Sequence, residues 1–137
     1  MDVLRARLRV THVTRRCGTD GAAGNGGRDA ALAAKRADEA AAGATRAGAA
    51  VELLGFPDGQ LAWCTDAPGR IGALLADLSP DLIVTHALND YHADHRAVAR
   101  IVGDTAPIGV PVLRADNMLG LHFGPEILFD IGGEIGR

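Results

Sequence analysis

The sequence predicts an α/β fold, a doubly wound three-layer sandwich around a mostly parallel sheet. Short strand-like runs such as Ala50–Leu54, Leu82–Val84 and Val110–Leu113 alternate with stretches of helical period. Leu82, Ile83 and Val84 are apolar on successive residues, as a strand buried on both faces is. No internal repeat or linker divides the 137 residues, a length that suits one domain.

The elements follow in order. A strand is expected over Leu8–Thr14, then a glycine-rich loop over Gly18–Gly27, then a helix over Asp29–Ala47. That helix has Leu32 as its only large apolar side chain, so it is expected to pack shallowly and to lean on alanine propensity. A strand over Ala50–Leu54 leads through a loop with Trp63 to a helix over Arg70–Leu78. Ser79-Pro80 stops the chain ahead of a strand over Asp81–Thr85. Val98, Ile101 and Val102 recur at i, i+3, i+4 while Arg96 and Arg100 fall on another face, which predicts an amphipathic helix over Asp94–Gly103. Pro107 to Pro111 punctuates the last crossover before strands over Val110–Leu113 and Glu126–Ile131.

Composition narrows the function classes. Lys+Arg 14 against Asp+Glu 17 gives a net charge of −3, which argues against nucleic acid or an anionic membrane as partner. Cys17 and Cys64 form no C-x-x-C, so two reduced thiols in a cytoplasmic protein are expected. No stretch has the length of a membrane span, and Met1 to Val10 lacks the apolar core of a signal peptide. The glycine-rich loop before a helix could offer backbone amides to a phosphate. It has neither G-x-G-x-x-G nor Gly-Lys-Ser/Thr, and Asp20 and Asp29 would repel an anion, so a flexible rim to a cleft is expected instead.

The chemistry concentrates in Thr85-His86 to Arg96, where a buried strand runs into His92-Ala93-Asp94-His95. Ligands of open α/β sheets bind outside the carboxyl ends of strands, so position and residue type agree. Asp94 is expected as the N-cap of the following helix, holding His95 in the first turn, with His92 outside the helix aimed at the same spot. The plainer alternative is that Asp94 only caps, His95 packs and His92 is solvated.

Thr85-His86 through Asp90-Tyr91-His92-Ala93-Asp94-His95-Arg96-Ala97-Val98 resembles the second signature of the LmbE-like, or PIG-L, family of zinc-dependent N-acetylglucosaminyl deacetylases, with His-Ala-Asp-His in place of the family's usual His-Pro-Asp-His. Thr19-Asp20-Gly21-Ala22-Ala23-Gly24, Arg36-x-x-Glu39, Leu54 to Gly59, and Ala115-Asp116 through Phe123-Gly124-Pro125 follow in the family's order. The resemblance implies a Rossmann-like fold, here a single partial domain over 1–137 truncated at both ends. It implies hydrolysis of the acetamide of an N-acetylated amino sugar or glycoside. His95 would bind Zn2+, His92 would stabilise or protonate the intermediate, Asp94 would tune a histidine, and Arg36 and Asp58 would hold substrate.

The family's Ala-His-Pro-Asp-Asp-like motif, which supplies the other zinc ligands and a general base, has no match in Met1 to Arg7. One imidazole does not hold zinc. A complete site would need His12, His86, His92, His122 or carboxylates to converge on His95. The alternative function is a non-catalytic α/β remnant or small-molecule binding module. Plainer readings also stand beside the two substrate residues. Lys35 and Glu39 pair at i, i+4, which would make Arg36 part of a solvated face, and Pro57-Asp58-Gly59 is what a turn demands. A domain short of its first strand is expected to be marginally stable and to aggregate or form a homo-oligomer.

Overall fold

The computed structural model describes residues 14–24, 26–115 and 124–127. Its elements are β1 (Thr14–Thr19), α1 (Ala30–Arg46), β2 (Ala50–Phe56), a 3₁₀ turn (Leu61–Trp63), α2 (Ala67–Leu78), β3 (Ile83–His86), α3 (Ala93–Thr105) and β4 (Val112–Ala115). The expected α/β alternation is present, with short parallel strands and helices between them. Among the described residues the ladders are two parallel pairs, β1 with β2 and β3 with β4. The expected strand over Leu8–Thr14 lies outside the described residues save for Thr14, as do His12 and His122 and most of the expected strand Glu126–Ile131. Glu126 and Ile127, which are described, are not in a strand.

Several boundaries move for physical reasons. β2 runs two residues past Leu54 because Gly55 takes φ +69, and the register shifts between Cys17 and Thr19 so that Thr19 still pairs with Phe56. α2 starts three residues early, with a Pro in its first turn where the missing N–H costs nothing. β4 starts after Pro111, which has no N–H for a ladder, though its carbonyl accepts from Ile83 N at 2.9 Å. α1 matches its expected span, with Asp29 accepting from Ala31 N and Leu32 N as N-cap. As its composition predicts, α1 buries only Ala40 and Ala44.

The core gathers on α3. Phe56, Leu61, Ala67 and Ala97 form one buried cluster; Ile71, Leu75, Ile83 and Val102 form another. Leu54, Val98 and Ile101 pack against both. The stripe of Val98, Ile101 and Val102 is therefore the face the sequence predicts, and it fixes the start of α3 next to the end of β3. Each large side chain buried there is worth roughly 1.5–3 kcal/mol.

Candidate active site

The carboxyl ends of β2 and β3 and the start of α3 bring six chemically active side chains together. His86, Asp90 and His95 each offer a ligating atom within 4.8 Å of the others, and so do Asp58, His92 and Asp94. Both groups are of the type that could hold a metal ion. His92 and His95 meet, as the sequence predicts, with ring centroids 4.7 Å apart. His86 and Asp90, each weighed from the sequence only as an alternative ligand, both lie in the cluster. The signal was there: His86 ends β3, and Asp90 stands five residues before His95 in a short loop.

Asp94 is not the N-cap of α3. His92 is, its Nδ1 accepting from Asp94 N at 3.2 Å. The Asp94 carboxylate, buried at 4 % exposure, instead accepts from Gly59 N at 2.7 Å and Leu61 N at 2.9 Å. Its reach across to the β2 turn, rather than along its own helix, is why spacing in sequence did not reveal the role. The cap bond also sets the His92 ring: an accepting Nδ1 carries no proton, so the neutral ring carries it on Nε2.

Asp90 is 1 % exposed. Its Oδ1 accepts from His92 N at 2.8 Å, and its Oδ2 stands 3.1 Å from His95 Nδ1 and 3.8 Å from His86 Nδ1. Burial pushes the Asp90 carboxyl up, but the His92 N–H and the two imidazoles more than offset this and leave it below the usual carboxylate value. His95 Nδ1 is itself buried and makes no aligned hydrogen bond; the carboxylate is within reach but off the line of a ring N–H. His86 and His95 stack, centroids 3.8 Å apart and planes 6° apart. Burial, then His95, lowers the His86 pKa against the opposing pull of Asp90, which favours the neutral imidazole. The Tyr91 ring stands roughly perpendicular to those of His92 and His95.

Asp58 joins this place from a true turn, since Gln60 N bonds to Pro57 O at 3.1 Å and Gly59 has φ +77. Its carboxylate accepts from Ala23 N at 3.1 Å and Thr19 Oγ1 at 3.4 Å. Its own N–H goes to Asp20 Oδ1, which also takes Ala22 N, while Arg28 pairs with Asp20 Oδ2. The glycine-rich loop is thus laced down rather than a free rim, and Asp20 and Asp29 occupy amides that a phosphate would need.

Arg36 stands apart from the histidines. It pairs with Glu39 at 2.7 Å and is 57% exposed, so the charged-face reading holds as far as its head group goes. Its stem lies beneath Gly21, where a Cβ would come within 3.0 Å of Arg36 Cγ. It also lines a half-open pocket of about 350 Å³ with Asp20, Gly21, Glu39, Leu53 and Gly55. No imidazole lines that pocket. The ionisable cluster at β3, rather than this pocket, gathers the groups able to bind a metal or move protons, and the hydrogen bond from Asp58 N to Asp20 joins the two.

Cys64 is a free thiol, and among the described residues no helix is long and apolar enough to cross a membrane. No curated protein matches the chain. Residues 2–106 match the family PIG-L, GlcNAc-PI de-N-acetylase, a match that includes every residue of the cluster. That span takes in β1 to α3 and carries the site on the strand ends where the family's chemistry is expected; the chain belongs to the PIG-L family of de-N-acetylases.

Proposed function

We propose that the chain carries out metal-dependent N-deacetylation, hydrolysing the acetamide of an N-acetylglucosamine-type small molecule with zinc as the metal. The observation that supports this most is the gathering of three histidines and three aspartates at the ends of β2 and β3. Imidazole nitrogen and carboxylate oxygen are the ligand types zinc takes, so the residues suit the ion. His95 is one residue to hold it, and the ion needs further donors beside this imidazole; its side chain keeps 31% exposure while Nδ1 is buried beside Asp90. A bound zinc supplies a polarised acetamide carbonyl and a more acidic water.

The chain's own groups do the rest. His92, with its neutral-ring proton on Nε2, donates a hydrogen bond to the carbonyl oxygen as negative charge develops; as the C–N bond breaks, the leaving amine takes up the proton that the attacking water gives up. Asp94 acts through His92: its N–H holds Nδ1, and its carboxylate pins the start of α3 to the β2 turn. Arg36 and Asp58 hold sugar hydroxyls, Arg36 from the pocket and Asp58 from beside His92. The free thiol and the acidic net charge support a cytoplasmic protein with neither nucleic acid nor membrane as partner.

The test is acetate release from N-acetylglucosamine and from GlcNAc-PI by the purified chain with added zinc. Release should stop on chelation and fall by about 10²–10⁴-fold in His92→Ala. No release at saturating zinc from either amide would refute the reading, and sugar binding without turnover would establish the binding module in its place.

A further inference from the structure

Asp90 and Asp94 are the two buried charged residues among the described residues. A buried carboxylate is expensive unless its oxygens are satisfied. Asp94 meets that demand with two backbone N–H groups. Asp90 accepts from His92 N with Oδ1, and its Oδ2 faces two imidazoles. Arg96 clamps the same loop by donating from one nitrogen to Asp90 O and Tyr91 O, each at 2.7 Å.

One use of such a group is as a metal ligand together with His86 and His95. The rings argue against it. A nitrogen lone pair lies in its ring plane, and two planes 6° apart with centroids 3.8 Å apart do not intersect at one nearby ion. The other use is to orient. Histidines that bind metal through one nitrogen commonly give the other N–H to a carboxylate.

We infer that Asp90 is the positioning residue of this centre: its Oδ2 takes the Nδ1–H of His95, so that Nε2 is the nitrogen offered to a metal. The two atoms already stand 3.1 Å apart, and the bond needs the His95 ring to turn its N–H onto that oxygen. The same carboxylate holds His92 N, and His92 Nδ1 accepts from Asp94 N. One loop therefore sets opposite tautomers on the two working histidines, Nδ1–H on His95 and Nε2–H on His92. The role rests on the reading of His95 as the metal ligand, while the tautomer it imposes does not.

The test is the ring-nitrogen signals of 15N-labelled full chain, free of metal, at neutral pH, with zinc affinity measured for the same protein, for Asp90→Asn and for His95→Ala. The expected result is Nδ1–H on His95 in the parent, lost or mixed in Asp90→Asn, with zinc affinity down about 10–100-fold and the circular dichroism spectrum unchanged. Nε2–H on His95 in the parent overturns the inference, and so does a tautomer and affinity indifferent to Asp90→Asn. Should Asp90→Asn fail to fold, the parent's tautomer decides alone. Zinc binding by His95→Ala equal to the parent's would instead overturn the metal assignment, and the tautomer would still decide the part of Asp90.

Discussion

Asp20 shows how much a single carboxylate can organise. Burial raises its pKa, but hydrogen bonds from Ala22 N and Asp58 N, with Arg28 beside it, lower it overall. A carboxyl whose folded pKa lies below its unfolded value binds fewer protons when folded. Its contribution to stability is then present above the unfolded pKa, about 3.9, and is lost as pH falls through the folded value. Unfolding midpoints followed from pH 6 to pH 2 should therefore drop more steeply in the parent than in Asp20→Asn; parallel curves would show that Asp20 is not the linkage group. At this scale the sequence identified the residue types and misjudged one role. Asp94 was expected to cap α3, and the structure gives the cap to His92, whose Nδ1 takes the Asp94 N–H.

At the scale of elements, α3 is the part on which the rest depends. Its apolar stripe packs against both clusters, and its first turn is bolted to the β2 turn through Asp94. Hydrogen bonds to a charged acceptor are worth about 1.5–3 kcal/mol each, and Asp94→Ala leaves two buried N–H groups without theirs. Asp94→Ala should thus cost about 3 kcal/mol in urea unfolding and loosen the Gly59–Leu61 turn, seen as faster amide exchange there. A loss below about 1 kcal/mol would show that the bolt adds little. The helices were legible because periodicity and caps are local: α1 appears over its expected span. The strands were less so. Gly55 looked like a strand end, yet its left-handed φ makes the bulge through which β2 continues to Phe56.

For the whole molecule, the exposed apolar residues matter most. Val84 in β3 is 63% exposed and Leu53 in β2 46%, in strands that a doubly wound sheet would cover on both faces. Together with exposed Trp63 and Ile108 they favour self-association. Sedimentation velocity should show a weight-average coefficient rising with protein concentration, and Val84→Lys should reduce the rise; a concentration-independent monomer would count against it. α1 adds little to hold the molecule, because Ala40 and Ala44 bury small area.

Taken by itself, the sequence determined the alternation of strands and helices, the apolar stripe of α3, and the stretch from His86 to His95 as the place where ionisable side chains gather. Those properties depend on residues near one another along the chain, where period, turn residues and spacing are visible. Only the tertiary structure decided the pairings: that Asp94 reaches Gly59 and Leu61, that Asp58 arrives beside His92, and that His86 stacks on His95 over a buried Asp90. Asp94, for example, meets partners more than thirty residues away. Such contacts follow from how β2, β3 and α3 pack, which brings the Gly59 and Leu61 N–H groups to Asp94 and two imidazoles to Asp90.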